Sequence, residues 1–368
     1  MNVLLLTQEK GAYSLASAND KKSDTTEPAI NNTRNKVNLK NLKTTGNRSC
    51  ALIQYFCDMR GAHLKQVKIK DISVDHTDQK NPVLTGDHDF PKVDLATTHG
   101  VIQRTWDGGE TESKGQQLIS ELEQLNIYSD NTAKSTALCS SKISTHHALN
   151  GAVSIPLSFS FQTPQALLNI NHALIKIDEF QKTKAFDTNN NPSYLIKADH
   201  GTWGKGITFY KKCDVGTLKN DLTTNAFSPF VLQAYVKPTA FAGADKSKNI
   251  SAHQRVVVGR DQKGDCHVFG GLHVQRNGSL VSNTHGTEGA LHVSPLTDCS
   301  EAIQKDLFHA ADLLELNQFG ADVIVDDHDQ HYILELNDGQ GISGPQLEQQ
   351  HIPEKYVDSF LERLKAAN

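Results

Sequence analysis

The segment GADVIVDDHDQHYILELN, residues 320–337, constrains the fold of this chain more strongly than any other stretch. Apolar and polar residues alternate on both sides of a polar turn, DHDQ, and this pattern predicts an antiparallel β-hairpin. In the register that this turn implies, Asp326 faces His331. Further along the same ladder, Asp322 faces Glu335. Because side chains alternate across a strand, the core face of the hairpin is predicted to carry Val323, Val325, Tyr332, Leu334 and Leu336.

The opposite face of this hairpin is predicted to carry Asp322, Ile324, Glu335 and Asn337. Two carboxylates that face each other directly repel unless a positive charge lies between them. Mg²⁺ prefers oxygen ligands, usually one or two carboxylates with waters and substrate phosphates, so this face is a candidate magnesium site. A half-exposed hairpin with an acidic outer face is the alternative interpretation, because polar outer faces are common in antiparallel sheets.

A glycine-rich stretch, IKADHGTWGKGI, residues 196–207, follows an apolar run that begins at Tyr194. Its glycines would let the backbone approach an anion, and Lys197 could supply a positive charge for phosphate. The stretch has neither the G-K-[ST] of a Walker A motif nor the strand–loop–helix context of a dinucleotide-binding fingerprint. It therefore predicts either a flexible lid over a polyphosphate or a plain hairpin turn.

The composition argues against several classes of protein. The 368 residues carry a formal net charge of −5 and the pI is near 6.4, so a nucleic-acid partner is not expected. No apolar run approaches the length of a transmembrane helix, and the N-terminus lacks the features of a secretory signal. The six cysteines include no C-x-x-C pair, which indicates reduced, mostly structural thiols. These features predict a cytoplasmic protein, without a membrane partner, that has two or three lobes.

The order of the elements predicts an α+β protein. A β-α-β opening contains a polar, disordered insertion at about residues 18–47, and residues 75–98 are predicted to be a second polar loop. Strands QRVVVGRD, CHVFGGLHV and GSLVSN are predicted to form an antiparallel meander, and a last helix is predicted over Glu354 to Lys365. The predicted domains are an N-terminal α/β substrate lobe (1–128), a central lobe with the glycine-rich loop (129–236) and a C-terminal lobe with the metal-binding hairpin (237–368).

Several segments together resemble the ATP-grasp superfamily in order and spacing. They are SSKISTHHAL with Lys142, YLIKADHGTWGKGI, FVLQAYV, HQRVVVG with Arg255, GADVIVD and YILELN. The resemblance covers about residues 126–344 and is greatest to the glutathione-synthetase-like branch, which includes the ligases that add glutamate to a ribosomal protein. It implies an ATP-grasp fold preceded by an N-terminal α/β lobe. The stretch KADHGTWGKGI is also similar to a K-A-D-x-G-T-x-G-x-G-I pattern in one group of glutamate–cysteine ligases.

The resemblance implies how the nucleotide would be held. Lys142 and Lys197 would bind the α- and β-phosphates and the adenine side of ATP. Gln233 and the backbone of Val236 would border the adenine. The loop that would close over the phosphates comprises Gly201, Thr202, Trp203, Gly204 and Gly206.

The same resemblance implies a metal site and an acyl phosphate site. One or two Mg²⁺ ions, with Mn²⁺ as the alternative, would be held by Asp322, Glu335 and Asn337. Arg255, together with Arg276 and Asn283, would steady the acyl phosphate, because arginine offers a fork of donors to a developing oxyanion.

Two positions depart from the pattern of the superfamily. Ala234 stands where relatives usually carry Glu, and His253 stands where they often carry Asp. The histidines near the proposed site have no metal-binding spacing and are expected to be solvated or packed; they are His146, His147, His200 and His285.

The activity that the resemblance implies is ATP-dependent ligation of a carboxylate to an amine or a thiol, through an acyl phosphate, with release of ADP and phosphate. The implied partners are ATP and a small-molecule amino acid or a peptide, with glutamate or cysteine as the narrower expectation. A synapsin-like ATP-binding regulatory protein without ligase activity is the alternative, and the complete set of Asp, Glu, Asn and Arg residues argues against it. Small-molecule and protein acceptors both stay open, as does a homo-oligomer.

Overall fold

The computed structural model of the chain describes residues 1–7, 11–15, 42–69, 72–78, 81–86, 92–104, 110–162, 168–184, 186, 191–200, 206–224, 229–240, 250–281 and 290–368. These residues form three larger sheets and two smaller ones, with helices packed against them, which confirms the predicted α+β class. No helix in these ranges is long and apolar enough to cross a membrane.

The N-terminal part is built around a parallel sheet. Its elements are β1 (Asn2–Thr7), β2 (Gly11–Leu15), β3 (Leu42–Gly46), α1 (Arg48–Met59), β4 (His63–Lys68), β5 (Ile72–Asp75), β6 (Val83–Gly86), β7 (Val93–Asp94), β8 (Gly100–Arg104), α2 (Glu110–Gln124) and β9 (Tyr128–Ser129). The sheet has the order β4-β1-β8-β9. Strand β1 is apolar on both faces because Leu5 packs in a core with Ile53 of α1, whereas Leu4 packs in a core with Leu122 of α2.

Two predicted loops contain regular structure. Residues 42–46 were predicted to be disordered but form β3, which pairs with β2, and Asn47 then caps α1 by accepting the N–H of Cys50 at 3.0 Å. Residues 18–41 of the predicted insertion lie outside the described residues. The predicted polar loop at 75–98 contains β6 and β7, because Leu84 and Leu95 are buried and anchor an otherwise polar segment to the core.

The middle of the chain forms an antiparallel sheet. Its elements are α3 (Ala133–Ser140), α4 (Lys142–Leu149), β10 (Ser158–Phe161), α5 (Ile170–Thr183), β11 (Tyr194–Ala198), β12 (Ile207–Tyr210), α6 (Val215–Thr224) and β13 (Phe230–Ala234). The strand order is β10-β13-β11-β12. Ile196 and Leu232 pack on one face with residues of α5 and α6. The alternate residues, Lys197 and Gln233, therefore belong to the other face, and they line a cavity together with α4.

The C-terminal part contains a five-stranded antiparallel sheet. Its elements are β14 (Ile250–Arg260), β15 (Cys266–Asn277), β16 (Ala290–Pro295), α7 (Glu301–Leu313), β17 (Gln318–Val325), β18 (His331–Asn337), α8 (Pro345–Gln349) and α9 (Ile352–Ala367). The strand order is β16-β15-β14-β17-β18. The predicted strand GSLVSN is wrong over the described residues 278–281, where the chain turns at Gly278 (φ 88°), and the next strand is β16. The last helix begins at Ile352, with Pro353 in its first turn, earlier than predicted.

The hairpin of β17 and β18 is confirmed, and its register is partly corrected. Asp322 faces Glu335 as predicted, but His331 faces Val325 rather than Asp326. The reason is a bulge at Leu334, which has no direct partner and shifts the ladder by one residue. Asp326 instead starts the turn, where its carboxylate accepts N–H groups of the turn backbone. As a result Ile333 packs in the core behind the sheet, whereas Tyr332 and Leu334 pack with Ile324 and Val236.

Candidate functional site

Arg255 and Asp322 form a bidentate ion pair on one face of the five-stranded sheet. The two residues are direct partners on β14 and β17. Arg255 Nε donates to Asp322 Oδ1, and Arg255 Nη2 donates to Asp322 Oδ2, each at 2.8 Å. Burial by itself would raise the pKa of Asp322, but the guanidinium outweighs it and lowers that pKa to about 2. Asp322 is therefore ionised at neutral pH.

Glu335 extends this arrangement into a row across three strands. It lies on β18 directly opposite Asp322, which in turn faces Arg255 on β14. The attraction of Asp322, the largest influence on Arg255, together with the charge of Glu335, raises the pKa of Arg255 above its ordinary value despite burial. The row therefore combines two carboxylates with one guanidinium, as the hairpin register predicted for the carboxylates.

The register also places Arg276 and Asn337 on this sheet face. Asn337 lies two residues from Glu335 on β18, with no bulge between them. Arg276 is opposite Ser251, which is four residues from Arg255 on β14. Because even spacing along a strand keeps side chains on one face, the structure brings these predicted residues to the face that carries the ion pair. Arg276 is 3% exposed, so its charge is held inside the protein.

His253 is a second buried group beside Asp322. It lies two residues before Arg255 on the same face of β14, and its Nε2 atom is 3.5 Å from Asp322 Oδ1. Burial is the main influence on this imidazole and lowers its pKa, although Asp322 acts in the opposite direction. His253 stands where the superfamily often carries Asp. At this position a buried imidazole therefore lies beside the ion pair of Arg255 and Asp322.

Lys197 supplies a buried positive charge from the neighbouring sheet. Burial is the largest influence on its ammonium group and lowers the pKa to about 8, while Glu335 raises it and Lys142 lowers it further. Lys142, Lys197 and Glu335 line the same cavity. The structure therefore brings Lys142 and Lys197 to the cavity that Glu335, at the end of the carboxylate row, also lines.

Asp199 joins the segments that carry the two lysines, and the sequence analysis missed it. Its Oδ1 atom accepts the backbone N–H of Ile143 and the hydroxyl of Ser141, both at 2.9 Å, at the start of α4. Asp199 follows Lys197 by two residues, so this carboxylate fixes the first turn of α4, with Lys142, against the end of β11. Its position inside the glycine-rich stretch, two residues after Lys197, was the signal that could have identified it.

The structure describes only the C-terminal end of the glycine-rich loop, at Gly206. Gly206 has φ +75°, and a Cβ there would lie 3.2 Å from the Cβ of Ala198, so this position favours glycine. The predicted loop residues Gly201, Thr202, Trp203 and Gly204 lie outside the described residues, as do Asn283 and His285.

Gln233 and Val236, the residues predicted to border adenine, occupy different surroundings. Gln233 is on β13 and lines the cavity, where its Nε2 atom donates to Ser158 Oγ at 2.9 Å. Val236 follows the strand and packs with Ile324 and Tyr332 of the hairpin. The segment from β13 to Val236 therefore joins the second sheet to the hairpin of β17 and β18.

A small cavity lies where α4, the second sheet and β18 meet. It is lined by Lys142, Lys197, Gln233 and Glu335, and also by residues that the sequence analysis did not select, namely Cys139, Thr145, His146 and Ser158. Both ring nitrogens of His146 are buried and have no hydrogen-bond partner among the described residues. Burial, with a smaller contribution from His147, lowers the pKa of His146 to about 4. The expectation of solvated or packed histidines thus holds for the exposed His147 and His200, whereas His146 lines the cavity, one helical turn from Lys142.

The predicted metal site has a suitable donor set for Mg²⁺. No group of three His, Cys, Asp or Glu side chains in the described part of the chain could hold a metal ion, but the predicted set contains two carboxylates and the amide of Asn337. A carboxylate has about four lone-pair sites, so the two hydrogen bonds from Arg255 leave Asp322 further acceptor capacity. Oxygen donors of this kind, completed by water or phosphate, suit Mg²⁺.

Comparisons with known proteins give matches among solved structures. No family model and no curated protein matches the chain. D-alanyl-alanine synthetase A from Vibrio cholerae superposes with a TM-score of 0.59 and 13% identity, covering 99% of this chain and 97% of that one. The macrocyclase MdnC from Microcystis aeruginosa, bound with precursor peptide MdnA, has a TM-score of 0.55 and 12% identity, covering 97% and 99%.

A third structure contains a nucleotide and a metal. ATP-grasp ligase PsnB, complexed with a phosphomimetic variant of its minimal precursor, Mg and ADP, has a TM-score of 0.56 and 13% identity. The match covers 86% of this chain and 95% of PsnB. The likeness extends over most of each chain in all three comparisons, and at these identities it concerns the fold. The chain therefore has the ATP-grasp fold that its sequence resemblance implied.

Proposed function

We propose that this protein is an ATP-dependent ligase that activates a carboxylate as an acyl phosphate, joins it to an amine or a thiol, and releases ADP and phosphate. The observation that supports this most is the meeting of Lys142, Lys197 and Glu335 at one cavity. Glu335 is also the end of the row formed with Asp322 and Arg255. Positive charge for phosphate, oxygen donors for Mg²⁺ and a guanidinium for an oxyanion are thus adjacent.

The two lysines would bind the phosphates of ATP. Lys197 is buried and its ammonium is poorly solvated, so a phosphate oxygen would replace missing hydration and raise the pKa of this lysine. Lys142 would approach from α4, held in place by the contacts of Asp199. The loop at residues 201–206 would cover the phosphates, and Gln233 and Val236 would border the base.

Asp322, Glu335 and Asn337 would hold one or two Mg²⁺ ions, which supply charge neutralisation for phosphoryl transfer when bound. Arg255 would then serve a second partner besides Asp322. Its guanidinium has five N–H donors, and only two of the groups are used on the carboxylate. The remaining donor capacity suits the oxyanion that develops as the acyl phosphate forms and is attacked. Arg276 and Asn283 would support the same oxyanion.

The domain division at about residues 128 and 236 is part of this proposal, with residues 1–128 as the substrate lobe. The structural neighbours support an amino acid or a peptide as the substrate, because one is a D-alanyl-alanine synthetase and two are bound to precursor peptides. Glutamate or cysteine is the narrower candidate, from the similarity of KADHGTWGKGI to glutamate–cysteine ligases. An intracellular location is expected from the composition.

The test is a product screen. The protein is incubated with ATP and Mg²⁺ in the presence of pooled amino acids or short peptides, and nucleotides and products are measured by mass spectrometry. We expect ADP and phosphate release that depends on one pool, together with a product joined by loss of water. Release of AMP and pyrophosphate would instead indicate adenylation. ATP binding with no stimulated hydrolysis in any pool would favour the synapsin-like regulatory alternative.

A further inference from the structure

Ser158 and Gln233 form a buried polar pair in the wall of the cavity. They are direct partners in the antiparallel ladder of β10 and β13. Each residue is 6% exposed, and both line the cavity. Gln233 Nε2 donates to Ser158 Oγ at 2.9 Å, and Ser158 Oγ donates to the carbonyl of Pro156 at 2.7 Å.

This pair fixes the orientation of the Gln233 amide. The carbonyl of Pro156 can only accept a hydrogen bond, so it takes the single hydroxyl hydrogen of Ser158. The hydroxyl oxygen of Ser158 can then only accept from Gln233. The atom of Gln233 next to Ser158 is therefore Nε2, because an amide turned by 180° would bring Oε1 to Ser158 and compete with the Pro156 carbonyl for the single hydroxyl hydrogen.

This orientation leaves the amide oxygen of Gln233 without a hydrogen-bond donor. Gln233 Oε1 is buried and has no hydrogen-bond partner among the described residues. A buried amide oxygen without a donor is destabilising, so a ligand that donates a hydrogen bond there is favoured over one that cannot. Among purine bases, the 6-amino group of adenine donates, whereas the 6-oxo group of hypoxanthine or guanine accepts.

We propose that Ser158 is a positioning residue that orients Gln233 as an acceptor and so makes the cavity selective for a 6-amino purine nucleotide. The inference rests on the nucleotide site of the proposed function. Ser158 would not touch the base. It acts through Gln233, and its loss would let the amide turn and offer Nε2 to a 6-oxo purine.

The first test compares ATP with ITP, in which the 6-amino group is replaced by a 6-oxo group, by calorimetry in the presence of Mg²⁺. We expect the wild type to bind ATP at least about tenfold more tightly, on the scale of one buried unpaired acceptor. Equal affinities would overturn this inference but leave the ligase proposal standing. Binding of neither nucleotide would overturn both.

The second test asks whether Ser158 sets that preference. Ser158→Ala and Ser158→Cys, the latter of nearly the same volume as the wild-type residue, should each lower the preference for ATP over ITP at least about threefold. The reference is Gln233→Met, which removes the amide and with it the acceptor. Ser158→Thr keeps the hydroxyl and should keep the ratio. Thermal unfolding identifies the variants that fold. An unchanged ratio in a folded Ser158→Ala or Ser158→Cys variant would overturn the positioning role, since a purely structural residue would change both affinities together.

Discussion

The guanidinium of Arg255 holds both carboxylate oxygens of Asp322, each at 2.8 Å. The pair lies in the middle of the sheet rather than at its rim, with side-chain exposures of 28% and 15%. Glu335 faces Asp322 from the next strand. Arg255 is therefore the cation that offsets two facing carboxylates in the free protein, in addition to its proposed role at the oxyanion.

Removing this cation should destabilise the free protein. Arg255→Met leaves Asp322 and Glu335 opposed, and we expect a loss of about 2 kcal/mol in EDTA, less than for a fully buried pair because the site is partly exposed. Added Mg²⁺ should restore part of the loss by binding between the carboxylates. Urea unfolding with and without Mg²⁺ measures both effects. Arg60→Met, which removes two surface ion pairs, with Glu354 and Asp358, is the control and should cost at most about 1 kcal/mol. An equal loss in both variants would contradict the role of Arg255.

Arg255→Lys separates a catalytic role of Arg255 from its role in folding, because lysine keeps the positive charge but lacks the planar set of N–H donors. Arg255→Lys keeps a cation beside Asp322, so the protein should fold and bind ATP·Mg²⁺ nearly as well as the wild type. Turnover should fall at least about a hundredfold, because a point charge cannot serve Asp322 and the developing oxyanion together. Steady-state kinetics and calorimetry on the same preparation give the comparison. Wild-type turnover in this variant would remove Arg255 from the mechanism.

Glu335→Gln tests the metal site. The variant should lose at least about a thousandfold in turnover, since charge stabilisation by the metal is worth several kcal/mol. The fold should persist, because the apolar faces of the hairpin are untouched and the repulsion with Asp322 is removed. Glu362→Gln, on the exposed side of α9, is the matched control and should keep full activity. Near-normal turnover of Glu335→Gln, measured as ADP release, would exclude Glu335 as a metal ligand.

The sequence predicted the central pairing of the site because it depends on local alternation. Asp322 and Glu335 lie on two strands joined by a short turn, and their facing follows from the alternation of apolar residues. The bulge at Leu334 was not predictable in this way, because a single extra residue leaves the alternation on either side intact. The same register error assigned Tyr332 and Leu334 to the core face, whereas they pack with Ile324 and Val236 on the other face.

Contacts between distant segments were beyond sequence reasoning without the family resemblance. The clamp of Asp199 on the start of α4 joins residues more than fifty positions apart, and so does the hydrogen bond from Gln233 to Ser158. Such contacts depend on how two elements pack, which neither periodicity nor composition encodes. The resemblance supplied Lys142, Lys197 and Gln233, but it could not supply Asp199, His146 or Ser158.

Lys197 gives a pH dependence of nucleotide binding. Its pKa in the free protein is lowered to about 8, so it is charged below that pH and neutral above it. ATP affinity should therefore fall as the pH rises from 8 to 9.5, by at most about tenfold per pH unit. Lys197→Arg stays charged throughout and should show a flat profile. Lys197→Ala should bind ATP about 1.5–3 kcal/mol more weakly at pH 7, the scale of a charge-assisted contact. ATP affinity is measured by calorimetry between pH 8 and 9.5. A wild-type profile as flat as that of Lys197→Arg would contradict the contact between Lys197 and phosphate.

His146 makes the stability of the protein depend on pH in the acidic range. Burial lowers its pKa from 6.5 to about 4, so between these values the unfolded chain binds a proton that the folded protein does not. The free energy of unfolding should therefore decrease as the pH falls from about 6.5 to 4. His146→Gln removes this contribution and should lose about 1–2 kcal/mol less than the wild type between pH 7 and 4.5, after allowance for the partial exposure of the ring. His147→Gln, at the exposed neighbouring position, should lose as much as the wild type. Urea unfolding at the two pH values tests this, and identical losses in both variants would show that His146 is not the buried neutral imidazole of the cavity wall.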